Sequence, residues 1–361
     1  MTGFPSFAPS LWVLLLALSL CACGRHPVRT QWEVELLAAD RAFDRGEFDA
    51  ARTTYEALGA RTTRPSDLRY LAFQRAWILE KSRARAQALR AYERLWITGE
   101  RDEYAARAAY RAGRVLLDQY GDRPGARRVW ERLVVSRPER AVADRAVLDL
   151  LGLHDDEGDL PGALALLDRL YAAIGHTNLG DNLLYEMAAR LRRAGYVHTA
   201  EKAYRVMLAR HGETGLADDA RWHLAELLVA RGRLEPALVQ LKLLTEDRDS
   251  SWQVGIYESN LADDARFWRG ILLYEAGQTE RAEREFRKLY RDFPNSILRD
   301  DARFNVAVCR HRAGALEGAR RACVDLGLEE PESRWVTRCA DEAPGGVLAR
   351  PGVEPFVVET P

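Results

Sequence analysis

The sequence is short of several residue types, and each shortage excludes something. Of 361 residues, five are cysteine and three methionine. Small secreted scaffolds held by disulfides carry cysteine far more densely. Lysine is almost missing: Lys81, Lys202, Lys242 and Lys288 stand beside 49 arginines. With so much Ala, Leu and Gly, that bias reflects a GC-rich coding sequence more than a function. Neither sign of charge is in excess, with 53 basic and 54 acidic residues and a formal net charge of -1. A general nucleic-acid binder needs a clear basic surplus, so nucleic acid is not an expected partner.

Catalytic signatures are lacking too. The seven histidines, at 26, 154, 176, 198, 211, 223 and 311, are scattered and form no His-Glu-x-x-His zinc motif. There is no Gly-x-x-x-x-Gly-Lys-Ser/Thr phosphate loop and no Gly-x-Ser-x-Gly nucleophile turn. The pairs Asp218/Asp219, Asp263/Asp264 and Asp300/Asp301 recur once per repeat at helix starts. There a carboxylate caps free N–H groups and complements the helix dipole. The expectation is therefore no enzyme, no cofactor, no metal and no small-molecule substrate.

What the chain does contain begins at its N-terminus. Residues 11–22 form an apolar run of 12, well short of the roughly 20 that span a bilayer as a helix and right for a signal-peptide core. The run ends in Leu20-Cys21-Ala22-Cys23-Gly24, which resembles a bacterial lipobox with Cys23 as the residue acylated after cleavage. The pattern departs from that family in having no Lys or Arg before the apolar run. Gly24 stands where inner-membrane retention has Asp, so the resemblance implies a lipid (palmitate) anchor in the outer membrane, facing the periplasm.

Beyond the leader the sequence repeats. One turn position recurs at Gly46, Arg83, Gly121, Gly158, Gly195, Gly232, Gly277 and Gly314, at intervals of 37, 38, 37, 37, 37, 45 and 37. A small residue follows at the fifth place (Ala51, Ala200, Ala237, Ala282), an aromatic or Leu four later (Tyr55, Tyr204, Leu241, Phe286) and an apolar residue three beyond that (Leu58, Met207, Leu244, Leu289). Gly ends helix A in an open turn, Ala lets helix B approach, and the i, i+4, i+7 residues give helix B a buried stripe. Pro138 and Pro294 fall where helix B must stop. This signature resembles the tetratricopeptide repeat over about 31–327. The Ala-Asp-Asp-Ala starts and Phe293-Pro294-Asn295-Ser296 look more specifically like its periplasmic branch, which contains the assembly lipoprotein BamD and the cell-division coordinator of the Tol-Pal system.

The resemblance implies an all-α, right-handed superhelical solenoid of about eight helix hairpins. The expected division is a signal peptide at 1–22, a tether at 23–30, the solenoid at 31–327 and an irregular Pro/Gly-rich tail at 328–361. The 45-residue interval carries an eight-residue insertion around 246–257. Five helix A units place an aromatic ten residues before the turn: Phe73, Tyr185, Trp222, Phe267 and Phe304, with Trp77 and Tyr274 on the same face. That face either lines a groove for partner segments or packs as core, and both readings stand at this point. Cys309 and Cys323 flank the Gly314 turn and could pair across it, while Cys339 could pair with either. The resemblance implies a lipid-anchored scaffold for other envelope proteins or peptide segments in outer-membrane assembly, or in division and peptidoglycan machinery. A helical accessory part of a lytic transglycosylase is a third reading, for which the 34-residue tail leaves no catalytic domain.

Overall fold

The computed structural model describes residues 30–98, 102–246, 248–251, 255–258, 261–342 and 348–350. Cys23 and the leader lie outside the described residues. The chain divides into two compact units, residues 1–153 and 154–361.

The first unit holds α1 (Gln31–Asp44), α2 (Phe48–Gly59), α3 (Pro65–Lys81), α4 (Arg85–Thr98), α5 (Glu103–Tyr120), α6 (Arg123–Ser136) and most of α7 (Ala141–Asp156). The second holds α8 (Leu160–Ile174), α9 (Gly180–Arg193), α10 (Val197–His211), α11 (Ala217–Ala230) and α12 (Leu234–Glu246). It continues with α13 (Ala262–Glu275), α14 (Thr279–Asp292), α15 (Arg299–Arg312), α16 (Leu316–Glu329) and α17 (Trp335–Glu342). The expected all-α fold of stacked helix hairpins holds in both units. The insertion is one antiparallel hairpin of β1 (Arg248–Ser251) and β2 (Gly255–Glu258), with Ser250 opposite Ile256. Among the described residues no helix is long and apolar enough to cross a membrane.

Local sequence sets the helix starts. Thr30 and Glu33 form a capping box at α1. Asp122 and Asp159 cap α6 and α8 by accepting the N–H groups of Gly125 and Gly162, each at 2.9 Å. All eight turn positions have left-handed backbone, with φ between 60° and 81°. Arg83, at 60°, is the one residue other than Gly to do so among the described residues. Beyond each turn the chain closes back on helix A: Glu47 N–H reaches the Ala42 carbonyl, Tyr196 that of Leu191 and Gln278 that of Leu273, at 2.8–2.9 Å. This bond satisfies a carbonyl that the helix end leaves without a partner.

Five residues past the turn stands alanine in every repeat: Ala51, Ala88, Ala126, Ala163, Ala200, Ala237, Ala282 and Ala319, none more than 1% exposed. Each is enclosed where helix B packs on helix A. Helix A has small residues as well: a Cβ on Gly270 would meet the Phe286 ring at 2.6 Å, and one on Gly113 would meet the Trp130 indole at 2.2 Å. The small residues are thus the seats of the large ones.

The tail departs from expectation. Residues 335–342 are helical, and Leu348 and Ala349 are buried in the core of the second unit. Pro331, Ser333 and Trp335 repeat Pro294, Ser296 and Leu298 one period on. Helix α17 is therefore the start of a ninth helix A, and the density of Pro and Gly around it hides that in the sequence.

The aspartate pairs also act differently from the simple capping expected of them. The N-cap positions are Leu216, Leu261 and Leu298, without side-chain caps. Asp263 and Asp300 accept the N–H of the next residue at 3.0 and 2.9 Å from inside the first turn. Burial, and then the charge of Asp263, push the Asp264 carboxyl above its usual range.

Candidate functional site

The aromatic positions on helix A resolve into two groups. Phe73, Phe267, Tyr274 and Phe304 are buried, which corrects the reading of these four as groove anchors. The reason is a pairing between two registers of one hairpin. The aromatic ten before the turn meets the one nine after it: Phe73 with Tyr92 at 6.0 Å, Tyr185 with Tyr204 at 6.0 Å, Phe267 with Phe286 at 5.5 Å between ring centroids. Facing aromatics at such distances are core packing. In the last hairpin the second position is Cys323, too small to reply. Phe304 stacks instead on Trp335 at 4.5 Å. The Arg312 guanidinium covers Tyr274 at 4.3 Å.

Trp77, Tyr185 and Trp222 are half-buried. Trp77 lies 4.8 Å from Phe43 and under the Arg111 guanidinium at 5.0 Å. Trp222 Nε1 donates to Glu226 at 3.1 Å. Burial raises the Tyr185 phenol above its ordinary range. These three keep part of their surface in solvent.

The cysteines also differ from the pairing across the Gly314 turn. Cys323 is bonded to Cys339, with Cα atoms 5.5 Å apart, and Cys309 is a buried free thiol. Burial pushes the Cys309 thiol up to about 12.

Two polar sites stand out. In the first unit, α2, α3, α4 and the start of α5 enclose an open cavity of about 850 Å³. Arg52, Arg69, Arg75, Arg90 and Arg94 line it against only Glu56 and Asp102, over a floor of Ala72, Ala76, Leu79 and Ala91. Arg75 lies 3.4 Å from Glu56, and Arg69 pairs with Asp102. Arg52 pairs with Asp49 at 2.9 Å, so five guanidinium groups face three carboxylates and the cleft keeps a cationic excess. No sequence signal marked it, because the arginines come from several elements at no common spacing. In the second unit, buried Glu201 gathers Arg205 at 3.0 Å, Arg233 at 2.8 Å and Arg231. Burial pushes its carboxyl up, but the hydrogen bond from Arg231 and the three positive charges outweigh that and hold it below the usual range.

His154, Glu157 and Asp159 bring metal-type ligand atoms within 4.8 Å of one another. Their contacts serve the turn: Asp159 takes the Gly162 N–H on one oxygen and His154 Nδ1 on the other, at 2.9 and 3.0 Å.

Residues 264–296 match the tetratricopeptide repeat family. No curated protein matches the sequence. Among solved structures, the tetratricopeptide repeat protein YrrB, described as having an unusual peptide-binding site, is 17% identical with a TM-score of 0.39, over 58% of this chain and 97% of that one. A tetratricopeptide repeat protein from Parabacteroides merdae is 14% identical with a TM-score of 0.33, over 75% and 96%. The C-terminal part of one from Cytophaga hutchinsonii is 12% identical with a TM-score of 0.36, over 84% and 98%. The matched stretch is one hairpin with its left-handed turn at Gly277 and its buried Ala282, and the same turn and the same buried alanine recur in the other described hairpins.

Proposed function

We propose that the protein is a lipid-anchored periplasmic scaffold, held to the outer membrane through Cys23, that binds segments of other envelope proteins during outer-membrane assembly. The observation that carries the binding role is the open arginine-lined cleft of the first unit, which has the size and charge to hold an acidic segment of a partner. The lipobox-like Leu20-Cys21-Ala22-Cys23 carries the location, and the Cys323–Cys339 disulfide is of the kind that persists in an oxidising compartment. Chemical crosslinking in the native cell, followed by co-purification, tests the role. Capture of outer-membrane assembly proteins is the expected result. Capture of division or peptidoglycan proteins alone would move the scaffold to that process, and Arg90→Glu with Arg94→Glu is expected to weaken capture.

A further inference from the structure

The second unit already holds a piece of extended chain. Asn305, on α15, has no exposed surface. Its Oδ1 accepts the backbone N–H of Ala349 at 2.7 Å, and its Nδ2 donates to the carbonyl of the same residue at 3.1 Å. The N–H and C=O of one residue point to the same side in extended backbone, so Asn305 pairs with Ala349 as a neighbouring strand would. Leu348 and Ala349 are buried, and Arg350 pairs with Glu275 at the end of α13.

These contacts share a chemistry. The central recognition is of backbone, through an amide that presents one acceptor and one donor. The flanks ask for an apolar side chain before the clamped residue, a small side chain on it and a cation after it. A buried amide with neither partner supplied is costly, so Asn305 demands a backbone of some kind. Binding of this type takes its strength from main-chain hydrogen bonds and its selectivity from the side chains on either side.

We propose that Asn305 and Glu275 form a binding site for an extended peptide of the pattern apolar–small–Arg, and that Leu348-Ala349-Arg350 is its intramolecular occupant, released when a partner supplies such a segment. This rests on the scaffold reading and goes beyond it by giving the second unit a peptide site of its own. The occupant is tethered ten residues beyond Cys339, which the disulfide fixes to α16. Its effective concentration is of the order of millimolar, so a free peptide competes poorly until the occupant is weakened.

The test uses the full chain and a fluorescein-labelled peptide, Gly-Val-Leu-Ala-Arg-Pro, followed by fluorescence anisotropy. Ala349→Pro removes the N–H that Asn305 accepts, and Arg350→Glu sets like charge against Glu275. Either variant is expected to bind the peptide at least about tenfold more tightly than the unaltered chain. Asn305→Ala added to Ala349→Pro is expected to abolish binding, as is proline at the alanine of the peptide. Circular dichroism melts establish that each variant is folded. Equal binding by the unaltered and released chains, binding that survives Asn305→Ala, or no binding by either folded released variant would each overturn the proposal. Crosslinked capture of envelope proteins that persists beside such a failure would leave the scaffold reading standing and remove only the peptide site.

Discussion

The Ser333 hydroxyl donates to Asp300 at 2.7 Å across 33 residues of chain, and one repeat earlier Ser296 does the same to Asp263 at 2.6 Å. The bond ties the linker after each helix B to the first turn of the preceding helix A. Its recurrence at Ser333 means that the array continues into α17.

Trp335 holds α17 in place. It stacks on Phe304, its indole N–H donates to Asp301, and it occupies the place of Leu298. Trp335→Ala is expected to cost the second unit about 3–5 kcal/mol, measured by urea unfolding. Ser333→Ala, which removes the hydrogen bond donated to Asp300 and the longer one accepted from the Trp335 N–H at 3.3 Å, should cost about 1–2 kcal/mol.

Arg83 allows a clean measurement of backbone strain. Its φ of 60° belongs to glycine in the other seven turns. Arg83→Gly is expected to stabilise the first unit by about 1 kcal/mol, and Gly195→Ala to destabilise the second by about 1–2 kcal/mol. A Cβ on Gly195 would meet nothing within 4 Å, so that loss is conformational and not steric. Gly270→Ala also adds one methyl group, but against the Phe286 ring, and should cost about 1–3 kcal/mol through overpacking. Thermal melts of the three variants separate the two causes.

The aromatic positions predict a contrast. Phe267→Ala should lower stability by about 3–5 kcal/mol, because the ring is enclosed against Phe286. Trp222→Ala, half in solvent, should cost markedly less in the same denaturation experiment.

Glu201 predicts a pH dependence. Its folded pKa lies below the unfolded value of 4.5. The stability it contributes is therefore fully present above about pH 4.5 and is lost as the pH falls through the lower folded value. Glu201→Gln should cost about 1–3 kcal/mol at neutral pH. The gap between variant and parent should narrow as denaturation curves are taken to lower pH.

Cysteine chemistry gives the last prediction. Cys339→Ser, opening a link across 16 residues, should cost about 2–3 kcal/mol. Cys309, buried and with its thiol pushed up to about 12, should resist a thiol reagent in the native protein and react once it is unfolded. A thiol titration in the presence and absence of denaturant reads both.

How much of this is legible in the sequence differs by feature. The turns are legible because a left-handed residue punishes any Cβ, so Gly recurs, and spacing alone then finds Arg83 in the same role. The buried alanines are legible for a similar reason, since a small residue recurs where helix B packs on helix A. The destination of Phe73 and Phe267 is not, because it depends on registers 19 residues apart meeting across a hairpin, and that of Phe304 depends on Trp335 in the next element. Helix α17 escapes notice because eight helical residues cannot show a period among so many prolines and glycines. The arginine cleft has no linear signature at all, since its arginines come from consecutive helices at no common spacing.

The Cys323–Cys339 bond changes how this end of the molecule can come apart. A helix of eight residues, as α17 is, has few bonds of its own and ordinarily frays by itself. Here α17 cannot leave without α16, and the segment clamped by Asn305 follows from the same anchor. Opening at this end is therefore a single coupled step, and a reductant would turn a latch back into a fraying tip.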